Sequence, residues 1–359
     1  MEYQRILVRA TNWVGDAVMS LPALRALKQR FPEARISILA KPWVADLYRR
    51  EPFCDEIISY TARGAKWGWK WKVARELAER KFDCAILLQN AFEAAAIAWA
   101  ARIPERIGYA RDGRSALLTR AIAAPRVGEI PAHERFYYLE LLRRAGIIES
   151  ISGNRGLASD AIRLEGAAAA SEAGRARFSE LGFDRAVIGV SPGAAYGTAK
   201  RWLPERFAEA AAKVAKELNA GVAGVAGVAI FGSKDERELC EQVAHMTRAA
   251  IGEVAGIPAR NFAGETTLAE FIDLAAACRV FLTNDSGAMH IASALGVPTV
   301  AVFGATNDVT TGPIGPLSRV VREPVECSPC LRRECPIDHR CMTRVSAARV
   351  AETALELLK

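Results

Sequence analysis

Val280-Phe281-Leu282-Thr283-Asn284-Asp285-Ser286-Gly287-Ala288-Met289-His290-Ile291 reads as a strand that passes through a short polar turn into a helix. The apolar run suits a buried parallel strand, and Ser286 and Gly287 offer backbone N–H groups where the helix begins. That is an anion-binding arrangement. Asp285 would repel an anion, so its expected task is to orient the loop or a neighbouring cation. His290 is read first as a packed side chain, with a ligand contact as the alternative.

The same strand–turn–helix unit recurs on both sides of this stretch. Upstream, strands are predicted at Ile6–Arg9, Arg35–Ala40, Glu56–Tyr60, Cys84–Gln89 and Arg106–Tyr109, with helices such as Leu21–Phe31 and Lys72–Arg80 between them. The second half resumes with strands at Ala186–Val190, Val222–Phe231, Val280–Leu282 and Thr299–Phe303. Its helices are predicted at Pro204–Leu218, Glu236–Thr247 and Leu268–Ala277. Such alternation predicts α/β architecture with parallel sheets covered by helices. A length of 359 residues exceeds what one core usually serves, so two doubly wound, Rossmann-like domains facing across a cleft are expected. The Ala- and Gly-rich stretch around 146–172 marks the junction, with domains at 1–175 and 176–344. An amphipathic helix, Ala347–Leu358, closes the chain.

Composition sets broad limits. At 51% hydrophobic and 25% charged residues the chain is globular, and 48 Lys+Arg against 41 Asp+Glu leave a modest net charge of +7. That excess suits phosphorylated substrates near an anionic membrane, mild nucleic-acid affinity, or an ordinary solvated surface. Met1-Glu2-Tyr3-Gln4-Arg5 runs directly into Ile6-Leu7-Val8, without the features of a signal peptide, and no long uncharged apolar stretch appears. A cytoplasmic protein with reduced thiols is the expectation.

Four further segments carry possible chemistry. After the first strand, Asn12-Trp13-Val14-Gly15-Asp16 turns into a helix. Asp16 either steadies the helix start or acts as a general base on an acceptor hydroxyl. Ser191-Pro192-Gly193-Ala194-Ala195-Tyr196-Gly197 is a flexible loop leading to Lys200 and Arg201, read as a phosphate cradle, with an ordinary strand–loop–helix connection and a solvated basic pair as the alternative. Phe231-Gly232-Ser233-Lys234-Asp235-Glu236 brings carboxylates to a strand end where doubly wound domains often meet a ribose. Arg63 to Lys72 interleaves Arg63, Lys66, Lys70 and Lys72 with Trp67, Trp69 and Trp71, a pattern suited to a lipid interface, single-stranded nucleic acid, or a helix start with packed indoles.

Neither G-x-G-x-x-G nor G-x-x-x-x-G-K-[ST] occurs, which removes the main support for a nicotinamide enzyme or a P-loop NTPase. Asp-x-Asp is absent as well, so a diphosphate would be met by Lys200, Arg201 and helix dipoles, and metal-independent catalysis is predicted. Cys327, Cys330, Cys335 and Cys341 follow a C-x2-C-x4-C-x5-C spacing that admits structural zinc, a redox pair or free thiols. Cys54, Cys84, Cys240 and Cys278 look like core residues.

Taken together, Asn12–Asp16, Ala199-Lys200-Arg201-Trp202, Phe231–Asp235 and Thr283–His290 closely resemble the ADP-heptose:lipopolysaccharide heptosyltransferases, in order along nearly the whole chain. The resemblance implies a GT-B fold and inverting transfer of L-glycero-D-manno-heptose from ADP-heptose to the Kdo/heptose inner core of lipopolysaccharide. It implies Asp16 as base and Lys200, Asp285, Ser286 and Gly287 at the donor diphosphate. Glu236 and Thr266 would lie at the nucleoside, and Arg63, Lys66 and Lys70 at acceptor phosphates. It further implies an N-terminal acceptor domain, a C-terminal donor domain, the last helix (345–359) packed back on the first domain, and contact with the cytoplasmic face of the inner membrane. No nucleic acid is expected as a partner. Glu93 is a departure, standing where the family carries a lysine. A nucleotide-sugar epimerase of the same fold and a nucleic-acid-binding module are the rival readings.

Overall fold

The structure is a computed structural model that describes residues 2–61, 68–151, 160–183, 185–220, 225–252 and 257–359. It divides into two compact units, Met1–Ile162 and Arg163–Lys359. Among the described residues each unit is built on a six-stranded, wholly parallel sheet.

In the first unit the strands are β1 (Arg5–Arg9), β2 (Arg35–Ala40), β3 (Glu56–Ser59), β4 (Cys84–Leu87), β5 (Glu105–Tyr109) and β6 (Arg120–Ile122). They lie in the order β3-β2-β1-β4-β5-β6. The second unit contains β7 (Ala186–Ser191), β8 (Val225–Ile230), β9 (Ala259–Asn261), β10 (Cys278–Asn284), β11 (Thr299–Phe303) and β12 (Ser318–Arg322). Its order, β12-β11-β10-β7-β8-β9, is the same winding repeated. Both sheets therefore change direction of winding between their first and fourth strands, β1/β4 and β7/β10. Ligands of doubly wound sheets bind at the carboxyl ends beside that switch point.

The central strands carry continuous apolar side chains because helices cover both faces. Ile6, Leu7 and Val8 of β1 and Val280, Phe281 and Leu282 of β10 are all buried. Every strand expected from the sequence is present. The strands absent from the expectation, β6, β9 and β12, are the short or half-exposed edges, where a one-sided environment leaves little apolar periodicity.

Two boundary expectations change. The expected junction at 175/176 falls inside a helix, Ala167–Glu180, that packs against the helix Leu268–Ala276. A Cβ on Gly174 would lie 1.9 Å from the Asp273 carbonyl oxygen, so glycine is needed for the two helices to approach. The division falls at Ile162/Arg163, inside the 146–172 stretch read as the junction but ahead of the expected boundary. The closing helix, Ala347–Glu356, was expected on the first domain. Its buried face, Val350, Ala351 and Ala354, instead joins the second unit's core with Ala211, Val214 and Ala215 of the helix Pro204–Ala220. Lys213 and Glu352 add an exposed ion pair at 2.9 Å. Matching Ala/Val stripes let these helices lie close together, which the helix's amphipathicity alone does not reveal.

Candidate functional site

In the second unit, the ends of two strands, β7 and β10, converge through one buried side chain. Asn284, the last residue of β10, is fully buried. Its Oδ1 accepts the Trp202 N–H at 2.9 Å, and its Nδ2 donates to the Pro192 carbonyl at 2.7 Å. The loop after β7 is thereby tied at both ends to the turn after β10. Trp202 anchors the same loop from below, with its indole buried against Phe207 and its Nε1 donating to the Val345 carbonyl at 3.2 Å. Burying two main-chain polar groups requires such a partner, and the side-chain amide supplies both a donor and an acceptor.

This clamp sets Lys200 beside Asp285. Lys200 Nζ lies 2.6 Å from Asp285 Oδ2, and Thr306 Oγ1, in the turn after β11, donates to the same oxygen at 2.5 Å. Asp285 therefore orients a neighbouring cation, as the sequence suggested. Ser286 is the N-cap of the helix Gly287–Ala294, its Oγ accepting from Met289 N–H at 3.4 Å and lying 3.2 Å from Thr283 Oγ1. Gly287 opens the helix, so the cation, the cap and the positive end of the helix dipole share one turn. His290 is buried, in keeping with the packed reading.

Glu236 closes a short helical turn after β8. Its Oε2 accepts from the Ser233 N–H at 2.9 Å and the Ser233 hydroxyl at 3.0 Å, and its Oε1 lies 3.6 Å from Arg201 Nη2. Gly193 sits directly beneath: a Cβ there would come within 2.2 Å of Glu236 Oε1. Thr266 is half-buried in the loop after β9, next to the helix cap Thr267. The Gly264 N–H of that loop donates to the Gly232 carbonyl at 3.1 Å, placing the Glu236 and Thr266 loops side by side. Lys200, Asp285, Ser286, Gly287, Glu236 and Thr266 thus all belong to loops at the carboxyl end of one sheet.

The first unit has the corresponding loops. Asp16 lies in the first turn of the helix Val14–Met19, which follows β1, and is half-buried. Glu134, at the start of the helix Arg135–Arg144, shares its surroundings. Burial, and then the charge of Asp16, hold the Glu134 carboxyl above its ordinary range, with Arg111 opposing. Tyr138, on the same helix, is raised by burial and by both carboxylates.

Of the expected acceptor residues, Lys70 pairs with Glu93 at 3.2 Å. The carboxylate that departs from the family pattern thus neutralises a lysine. Arg63 and Lys66 lie outside the described residues. Around Glu93 stand two buried cations that the sequence reading passed over, Arg9 and Lys41. Burial lowers the pKa of each, and Glu93 opposes the shift in both. Tyr60, pushed up to about 12 by burial, lies between them and remains a neutral phenol.

All eight cysteines are free thiols. Cys341 is pushed up to about 11, by burial first and then by Cys327, Cys330 and Cys335, so the four lie near one another. Among the described residues no group of three or more His, Cys, Asp or Glu side chains is arranged to hold a metal ion.

Sequence reasoning quoted Asn284 within the donor-side motif without giving it a task, and missed Thr306. It also missed Glu134, Arg9 and Lys41 in the first unit. Lys41 follows the last residue of β2 and Thr306 lies just past β11, so position at a strand end was the available signal.

Two doubly wound parallel sheets, each with its charged loops beside the switch point, are the architecture of the GT-B class of glycosyltransferases. Glycosyltransferase family 9 (heptosyltransferase) matches residues 70–340. Lipopolysaccharide heptosyltransferase 2 of Salmonella typhimurium is 33% identical over 322 residues, covering 89% of this chain and 88% of that protein. Lipooligosaccharide heptosyltransferase 2 of Haemophilus ducreyi is 30% identical over 330 residues, with 89% and 88% covered. The solved structure of E. coli ADP-heptose LPS heptosyltransferase II superposes with a TM-score of 0.80 at 31% identity, covering 99% of this chain and 98% of that one. The chain belongs to glycosyltransferase family 9, the heptosyltransferases.

Proposed function

We propose that the protein transfers L-glycero-D-manno-heptose from ADP-heptose to the Kdo/heptose inner core of lipopolysaccharide by a single inverting displacement. The observation that carries this reading is the loop cluster at the second unit's switch point. Lys200, Asp285 and the amides of Ser286 and Gly287 offer one compact seat for a diphosphate. Glu236 and Thr266 are assigned to the nucleoside, on the neighbouring loops. Asp16 is the base: it takes the proton of the acceptor hydroxyl, whose oxygen attacks the anomeric carbon on the face opposite ADP. Lys200 and the helix amides stabilise the charge that develops on the departing diphosphate. No metal is assigned to the step, since cation and helix dipole meet that charge; structural zinc at Cys327, Cys330, Cys335 and Cys341 is a separate question.

The first unit is assigned to the acceptor and the second to the donor. Arg63, Lys66 and Lys70 are assigned to acceptor phosphates. Among the described residues no helix is long and apolar enough to cross a membrane. Exposed Trp13, Trp43 and Trp71 suit peripheral contact at the cytoplasmic face of the inner membrane, where a lipid-linked acceptor would be met.

The test incubates purified protein with a panel of nucleotide sugars and a heptose-truncated lipid acceptor, read by product mass. A mass increase of one heptose from ADP-heptose is expected, whereas isomerised donor in the absence of acceptor would make the protein an epimerase. Asp16→Ala should lower transfer by about 10²–10⁴-fold and leave ADP affinity nearly intact. Equal loss of both would make Asp16 a donor-site or structural residue.

A further inference from the structure

Arg9 and Lys41 stand at the ends of adjacent strands β1 and β2, and the transfer step just described uses neither. Only 2% of Arg9 and 8% of Lys41 is exposed. Both cations stand over one ring: Arg9 Cζ lies 5.2 Å and Lys41 Nζ 4.2 Å from the Tyr60 centroid. Trp69 stacks on Tyr60 at 5.4 Å, and Lys41 Nζ is 5.1 Å from the Trp69 ring and 5.9 Å from the Trp43 ring. Trp43 is itself held by its Nε1, which donates to the Asn12 carbonyl at 2.9 Å. Lys41 therefore occupies a three-sided aromatic cage beside the loop that leads to Asp16.

The cage does not offset what burial costs. Aromatic faces return only part of what taking a cation out of water costs. Hydrogen bonds do not close the gap. Among the described residues Lys41 Nζ makes no hydrogen bond or ion pair and keeps some contact with solvent, while Arg9 Nε is buried without a partner. The Arg9 Nη2 donates to Asn12 Oδ1 at 2.9 Å and to the Tyr60 hydroxyl, both uncharged acceptors. Among the described residues Glu93 is the one carboxylate acting on Arg9 and Lys41, and it pairs with Lys70. Three cations thus face one carboxylate, with donors idle on two of them. A small group with two or three acceptor oxygens and negative charge would meet those donors.

We propose that Arg9 and Lys41 form a subsite for a compact oxyanion, a phosphate or a carboxylate, carried by the acceptor sugar near the hydroxyl that Asp16 deprotonates. The assignment to the acceptor rests on the transferase reading above; the binding of an oxyanion does not.

The test titrates inorganic phosphate and, separately, acetate into the wild type and the Lys41→Met, Lys41→Arg and Lys200→Ala proteins by calorimetry. Lys41→Met removes a charge that has no ion-pair partner and keeps an apolar stem against the rings, so it is expected to melt close to the wild type. It should weaken oxyanion binding by about tenfold or more, the scale of one charge-assisted hydrogen bond, with Lys41→Arg restoring most of it. Phosphate binding that survives Lys200→Ala and is lost in Lys41→Met separates this subsite from the donor loops. The anion that binds more tightly identifies the acceptor group. In the transfer assay Lys41→Met should raise the acceptor KM and leave the donor KM alone. The proposal is overturned if neither anion binds the wild type, or if Lys41→Met binds both as the wild type does. Oxyanion binding without heptose transfer would keep the subsite and refute the transferase reading.

Discussion

The two units share one winding, yet they treat charge at the carboxyl ends of their sheets in opposite ways. In the second unit two loop cations lie beside carboxylates, Lys200 with Asp285 at 2.6 Å and Arg201 with Glu236 at 3.6 Å, although Arg201 Nε, like Arg9 Nε, is buried without a partner. The loops are further knitted by Asn284, Ser233 and Thr306. In the first unit Arg9 and Lys41 rest on aromatic faces, and Glu134 lies near a second carboxylate, Asp16, whose effect Arg111 opposes. A unit with internal partners can hold its shape before a ligand arrives, and the ligand then joins an existing network. A unit with unmatched charge is organised for a partner that brings the balance. The same scaffold thus provides a pre-knit seat in one half and an unsatisfied one in the other.

The sharpest way to break that contrast is to remove one carboxylate from each unit. Asp285→Ala leaves the Lys200 ammonium buried without its anion and Thr306 without its acceptor. Losing one partner of a buried pair costs about 3–5 kcal/mol, so a large drop in the urea midpoint is expected. Glu93→Gln breaks the Lys70 pair, which is more exposed, and should cost about 1 kcal/mol or less. Were Glu93→Gln to destabilise as much as Asp285→Ala, the first unit would be as internally balanced as the second.

A smaller effect should come from the uncharged clamp. Asn284→Leu strands the Trp202 N–H and the Pro192 carbonyl inside the protein, at about 1–3 kcal/mol for each unsatisfied group. ADP affinity should fall with it, because the loop carrying Lys200 loses its tie to the turn carrying Ser286. Asn12, which accepts from Arg9 in the first unit, is half-exposed, and water can replace it. Asn12→Leu should therefore cost less than Asn284→Leu in the same chemical denaturation experiment. The reverse order would mean that the first unit's loops are the more tightly held.

How far the sequence reveals this contrast follows from what each feature depends on. Parallel strands buried on both faces leave unbroken apolar runs, so β1, β2, β10 and β11 were legible, as was the repeated strand–turn–helix unit. Lys200, Asp285, Ser286 and Gly287 were legible because they stand in the turn between a recognisable strand and a recognisable helix. Asn284 was part of the same motif, but its task depends on Trp202 and Pro192, which lie 82 and 92 residues away along the chain. Lys41 was silent for the same reason, since its cage is assembled from Trp43, Tyr60 and Trp69 only when β2, β3 and a helix come together. The Ala/Gly stretch before the second sheet does contain the division, but the boundary at 175/176 fell too late, because small residues serve linkers and tightly packed helices alike. Gly174 against Asp273 decides for the second.

The smallest expected effect concerns Glu134 and tests the first unit's lack of balance directly. Burial and Asp16 raise its carboxyl above the ordinary value of 4.5, which means the folded protein holds that proton more firmly than the unfolded chain. The contribution to stability is therefore fully present below about pH 4.5 and is lost as pH rises through the raised folded value. Glu134→Gln keeps the shape of the neutral acid and cannot ionise. Relative to the wild type, its urea midpoint should improve as pH is raised across that window and then level off, with no further change toward neutrality. Asp16→Asn should reduce the same difference, since it removes the second cause of the shift while burial remains. A Glu134→Gln protein whose stability runs parallel to the wild type from pH 4 to pH 8 would mean that Glu134 has a compensating partner, and that the first unit's acids are as well matched as the second's.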